Sequence, residues 1–105
     1  MEQYKVVITA EAKTDLQRYR DYLLYNKKSR QAARNLVLDY RETRKQLEIS
    51  AASLANPSST KLKERGLKRI NFRRHDYFLS YKIVKNIVYV TNMFHSLEDF
   101  EDKLK

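Results

Sequence analysis

Residues 68–94 read KRINFRRHDYFLSYKIVKNIVYVTNMF, and the period of this stretch decides the fold class. From Lys68 the side chains alternate: Ile70 and Phe72 face one way, Arg69, Asn71 and Arg73 the other, which predicts a half-buried strand with a basic outer face. Arg74-His75-Asp76 reads as a turn into a second strand, Tyr77 to Val84. Lys85-Asn86 reads as a two-residue turn in which Asn tolerates positive φ, leading into Ile87 to Phe94. Residues 68–94 are therefore expected to be a three-stranded antiparallel meander.

Upstream the periodicity is different. Tyr4, Val6 and Ile8 alternate with Lys5 and Val7, predicting a strand over residues 4–9. Thr9 is placed to cap a helix over residues 10–27, with Glu11 in its first turn and Ala12, Leu16, Tyr19 and Leu23 along one face. Ser29 offers a second N-cap, and Ala33, Leu36, Val37, Tyr40, Leu47, Ala51 and Leu54 mark a second helix over residues 29–55. Two such helices make an antiparallel hairpin. The breaker cluster Asn56-Pro57-Ser58-Ser59-Thr60 ends it, and Ser96-Leu97-Glu98-Asp99 matches a capping pattern that predicts a short helix over residues 97–104. The chain reads as one α+β domain over residues 1–105, with the hairpin packed on one face of a mainly antiparallel sheet. The first strand returns to the sheet only after two helices, so it is expected beside the last strand or at an edge.

With 105 residues the chain supports a single core, and 22 Lys and Arg against 13 Asp and Glu give a net charge of +9. So strong a positive field favours nucleic acid, an anionic surface or an acidic protein partner. The sequence has no Cys and only two His, which excludes disulfides, thiol nucleophiles and Cys-based zinc sites, so neither metal nor cofactor is expected. The one Gly excludes a Gly-rich phosphate loop. No apolar run approaches membrane-spanning length, and the reading is of a cytoplasmic protein.

The charge is concentrated. Lys61, Lys63, Arg65, Lys68, Arg69, Arg73, Arg74, Lys82 and Lys85 stand against Glu64 and Asp76 within residues 61–85. Side chains along one face of a strand lie about 7 Å apart, close to the spacing of consecutive phosphates. Lys61, Lys63, Arg65, Arg69, Arg73 and Arg74 are thus candidates for binding a nucleic acid or a target; a solvated face that keeps a sheet edge soluble explains them equally. His75 beside Asp76, and His95 ahead of Glu98 and Asp99, are candidate general bases with carboxylate partners, while turn formation and helix capping account for the same clusters. Tyr22 and Tyr25 leave aromatic surface on the first helix that suits a partner helix, although isolated surface Tyr is common.

The ordered features Tyr4-Lys-Val-Val-Ile-Thr, Ala12 with Leu16, the helical hairpin, Asp76-Tyr-Phe-Leu-Ser-Tyr-Lys-Ile-Val, Ile87-Val-Tyr-Val and His95-x-x-x-Asp99 resemble the RelE/ParE superfamily of bacterial type II toxins. The resemblance covers almost the whole chain and rests on order, length and charge together. It implies a toxin held inactive by a cognate antitoxin that wraps over the helices and sheet, with Tyr22, Tyr25, Arg69 and Arg73 as expected antitoxin contacts. In the ribosome-dependent messenger-RNA endoribonuclease branch, Arg69 and Arg73 match basic residues of the second strand. Phe78 stands where that branch often has Arg, however, and Ser96-Leu97 where it has a basic pair. A ribonuclease would have to use Arg69, Arg73, His75 and His95. These departures make the sequence look more like the ParE-like branch, which inhibits DNA gyrase by binding. A third alternative is a non-toxic nucleic-acid-binding or scaffold domain on the same fold.

Overall fold

The computed structural model describes residues 3–53 and 64–96. Strand β1 spans Lys5–Ile8, helix α1 Ala10–Asp21, a π-helical turn Tyr22–Asn26, helix α2 Arg30–Ser50 and a 3-10 turn Ala51–Ser53. Strands β2 (Lys68–Asn71), β3 (Tyr77–Val84) and β4 (Ile87–His95) follow. The expected helix over residues 97–104, the loop at 56–60 and the candidates Lys61 and Lys63 lie outside the described residues.

Both predicted caps form. Thr9 Oγ1 accepts from the Ala12 N–H at 3.2 Å and Ser29 Oγ from the Ala32 N–H at 3.0 Å, each satisfying a donor that the first helical turn leaves unpaired. The first helix is α-helical only to Asp21, and the rest of the expected 10–27 helix is the π-helical turn. Lys28, at φ 53°, then reverses the chain, and the Ser29 N–H closes the turn on the Leu23 carbonyl at 3.0 Å. A left-handed backbone crowds the Cβ of any L-residue, at about 1–2 kcal/mol, and Gly returns part of that gain as unfolded-chain entropy. Lys28→Gly should therefore stabilise the protein by about 0.5 kcal/mol, read as a melting temperature higher by about 2–4 °C. An unchanged or lower temperature would contradict this account of the turn.

The sheet order is β1-β4-β3-β2. β2, β3 and β4 form the expected meander, and β1 lies at an edge, paired parallel to β4 from Lys5↔Ile87 to Ile8↔Val90. The sheet is therefore mixed. In the β3–β4 turn the positive φ falls on Lys85, at 57°, and not on Asn86 as its propensity suggested; the paired strands dictate which loop residue bends left.

A bulge between Ser80 and Tyr81 leaves Thr91 without an opposite residue, and its Oγ1 meets Ser80 Oγ at 2.7 Å. Asp15 of α1 grips the strand beside this bulge, accepting from the Met93 N–H at 3.0 Å and the Asn92 side chain at 3.1 Å. The core lies between the helices and the sheet, built on Leu36 and Leu47 of α2 against Leu79, Tyr81, Val88, Val90 and Met93. The Tyr81 hydroxyl donates to the Ala51 carbonyl at 2.8 Å, fixing the end of α2 on the sheet, and burial pushes its pKa up to about 12. Leu67, Phe78 and Phe94 form a second cluster, and the strand alternation places it on the face away from the helices.

Candidate functional site

The β2–β3 turn, residues 73–76, is held from beneath by a residue that sequence reasoning did not single out. Asp39, on the sheet-facing side of α2, is 1% exposed. Its carboxylate accepts from the backbone N–H of Arg73 at 3.3 Å, the backbone N–H of Arg74 at 2.9 Å and His75 Nδ1 at 2.7 Å. Burial alone would raise the Asp39 pKa. The hydrogen bonds from His75, Arg74 and Arg73, with the nearby imidazole, outweigh it and hold the carboxyl below its ordinary value of 3.8. An ionised carboxylate only accepts, so the imidazole proton sits on Nδ1 and Nε2 is the ring's remaining polar atom.

The acid that orients His75 is thus Asp39, 36 positions away, and not the adjacent Asp76. Asp76 is exposed and serves through its backbone, its carbonyl accepting from the Ser96 N–H at 2.7 Å. One signal in the sequence could have found Asp39: a carboxylate at the position where the apolar stripe Leu36, Tyr40, Thr43, Leu47 needs a buried residue.

Around this turn the arginines separate. Arg69 lies over the Phe78 ring at 3.9 Å, with its Nε donating to Asn71 Oδ1 at 2.8 Å, and burial lowers its pKa. Phe78 belongs to the cluster away from the helices, so Arg69 projects there. Arg73 and Arg74 instead line a groove of about 620 Å³ between β2 and α2, shared with Glu42, Lys45, Gln46 and Ile49. Arg65 is exposed ahead of β2.

The other histidine stands at the same end of the sheet. His95 pairs with Tyr77 across β3 and β4; the two rings meet edge to face at 4.8 Å, and the His95 N–H donates to the Tyr19 hydroxyl at 3.1 Å. Its expected partners Glu98 and Asp99 lie outside the described residues. A groove of about 540 Å³ is bordered there by Arg18, Tyr19, Tyr22, Leu23, Lys27, Tyr77 and His95. Tyr22 is 48% and Tyr25 69% exposed, both on the π-helical turn. Among the described residues no three His, Asp or Glu side chains gather as a metal ligand set, and no helix is long and apolar enough to cross a membrane.

This geometry suits binding: cationic and aromatic surface at one end of a sheet, with an Asp-oriented imidazole beside two arginines. The fold is that of the RelE/ParE class of small toxins. Its backbone superimposes on the chromosomal ParDE system of P. aeruginosa with a TM-score of 0.72 at 18% identity, over 89% of this chain and 96% of that one. It also matches the RelBE2 toxin-antitoxin complex of Mycobacterium tuberculosis, with a TM-score of 0.62 at 21% identity, over 93% and 97%. At these identities the likeness establishes the fold. The family model for the ParE toxin of the type II toxin-antitoxin system, parDE, matches residues 6–100, and the chain belongs to that family. No curated protein matches the sequence significantly.

Proposed function

We propose that this protein arrests bacterial growth by binding and inhibiting DNA gyrase, and that a cognate antitoxin neutralises it in the cytoplasm. The family match across residues 6–100 carries this reading, and the solved relatives that are toxin-antitoxin systems support the antitoxin partner. The exposed Tyr22 and Tyr25 on the π-helical turn, with Arg69 and Arg73 on β2 and the turn after it, are the proposed antitoxin contacts. They offer aromatic anchors and charge to an acidic amphipathic segment.

One observation favours a second reading, messenger-RNA cleavage. With Nδ1 committed to Asp39, a neutral His75 has Nε2 as its base, and the Arg73 and Arg74 guanidinium groups could hold a phosphate beside it.

Induction of the full chain in a bacterium should stop growth, and co-expression of its neighbouring small partner should restore it. Purified gyrase should then accumulate cleaved DNA complexes, and His75→Gln should leave this intact. Unimpaired growth with folded protein present would refute the toxin reading. Cut messages and normal supercoiling with the parent protein, together with loss of toxicity in a folded His75→Gln variant, would establish the ribonuclease instead.

A further inference from the structure

Among the described residues, the outer face of α2 is a long cationic surface to which neither the family match nor the antitoxin contacts named above give a role. Arg30, Arg34, Arg41 and Lys45 fall within about a quarter-turn of one another around the helix, on the side opposite Leu36, Tyr40 and Leu47. All four are exposed. At about 1.5 Å per residue they span roughly 22 Å. Arg73, which is also a proposed antitoxin contact, and Arg74 extend the row, because they share a groove with Lys45.

None of these six cations makes an ion pair with another described residue. Arg30 with Arg34, and Arg41 with Lys45, are like-charge neighbours at i,i+4, an arrangement that weakens a helix unless something anionic lies over it. The Asp39 carboxylate, by gripping the backbone of Arg73 and Arg74, keeps the far end of the row in place.

We propose that this row is a track for the phosphate backbone of B-form DNA. Five of its six positions are arginines whose planar guanidinium groups match phosphate oxygens, and Arg30 and Arg34 head the helix that carries them. The row lies on an α-helix, whose width fits the major groove of B-form DNA, whereas the deep narrow groove of an RNA duplex excludes one. No aromatic side chain lies among the six cations to stack unpaired bases, since Tyr22 and Tyr25 belong to the π-helical turn. An acidic protein would need apolar anchors. Leu38 and Ile49, 44% and 55% exposed, are single aliphatic residues about 16 Å apart along the helix and form no patch. Glu48, about one turn beyond Lys45 on the same face, ends the row on α2, and Glu42 at its side limits its reach around the helix. The inference is independent of gyrase inhibition, because binding is read without gyrase present.

The test is fluorescence anisotropy of the full-length chain with a labelled mixed-sequence DNA duplex of about two helical turns, across a range of salt concentrations. Each phosphate neutralised contributes about −0.9 to the slope of log affinity against log salt, so six cations predict a slope of roughly −5. Arg34→Ala with Arg41→Ala should make the slope shallower by about 2 and weaken binding at least tenfold at moderate salt. Both positions are exposed and Ala is the strongest helix former, so circular dichroism should show α2 retained. Lys13→Ala with Lys82→Ala, on α1 and β3, both exposed, should leave the slope unchanged. An unaltered slope in a helical Arg34→Ala/Arg41→Ala variant would overturn the proposal. Equal affinity for the single strand or an RNA duplex would overturn it too, as would a poly-glutamate peptide that binds as tightly and depends on the same two arginines.

Discussion

Asp39→Ala should cost about 3–5 kcal/mol of stability, because it removes a buried carboxylate and leaves two part-buried backbone donors and the His75 imidazole without their acceptor. A domain of this size has about 5–15 kcal/mol in all, so the variant should be near the edge of folding. Asp39→Asn keeps an oxygen for part of the cluster and should lose less, about 1–2 kcal/mol. Urea unfolding at neutral pH reads both as lower midpoints at unchanged m. A midpoint within error of the parent for Asp39→Ala would mean that the turn over residues 73–76 holds itself.

The same cluster predicts a pH dependence. The folded-state pKa of Asp39 is lowered, so its contribution is complete above the ordinary value of 3.8 and disappears as pH falls through the folded value. Acid unfolding of the parent should therefore steepen below about pH 4. Asp39→Asn should show a flatter acid limb, and an identical limb in the two proteins would place the acid sensitivity elsewhere.

Tyr77→Ala is the second large effect, expected to cost about 3–5 kcal/mol. The ring is buried and meets three others: Tyr19 edge to face at 4.9 Å, His95 at 4.8 Å and Phe72 at 5.9 Å. Such pairs contribute about 0.5–1.5 kcal/mol beyond burial, so a Tyr19/Tyr77 double-mutant cycle should return a coupling of that size. Near-zero coupling would show simple additive packing. The result bears on function, because this cluster is the floor of the groove between α1 and the end of β4.

How far each feature was legible depended on the range of the forces behind it. Thr9 and Ser29 were readable as caps because a cap is settled within four residues. The meander was readable because Ile70 and Phe72 alternate with Arg69 and Asn71 whatever they pack against. The conversion of α1 to a π-helical turn at Tyr22 was not readable, because nothing in Tyr-Leu-Leu-Tyr-Asn departs from a helical pattern. Arg69 and Arg73 looked like equal members of one row, yet Arg69 is stacked on Phe78 while Arg73 faces α2.

From the amino-acid order alone came the α+β class, the order of the elements, the two caps and the cationic character of residues 61–85. Each of these follows from short-range periodicity or from counting charges. Tertiary structure alone decided that β1 runs parallel to β4, that Lys85 takes the left-handed turn, and that Asp39 is the partner of His75. Asp39 and His75 meet only because α2 docks at one angle on the sheet. That angle is set by the packing of Leu36, Leu47 and the buried faces of β3 and β4, which no local pattern of residues encodes.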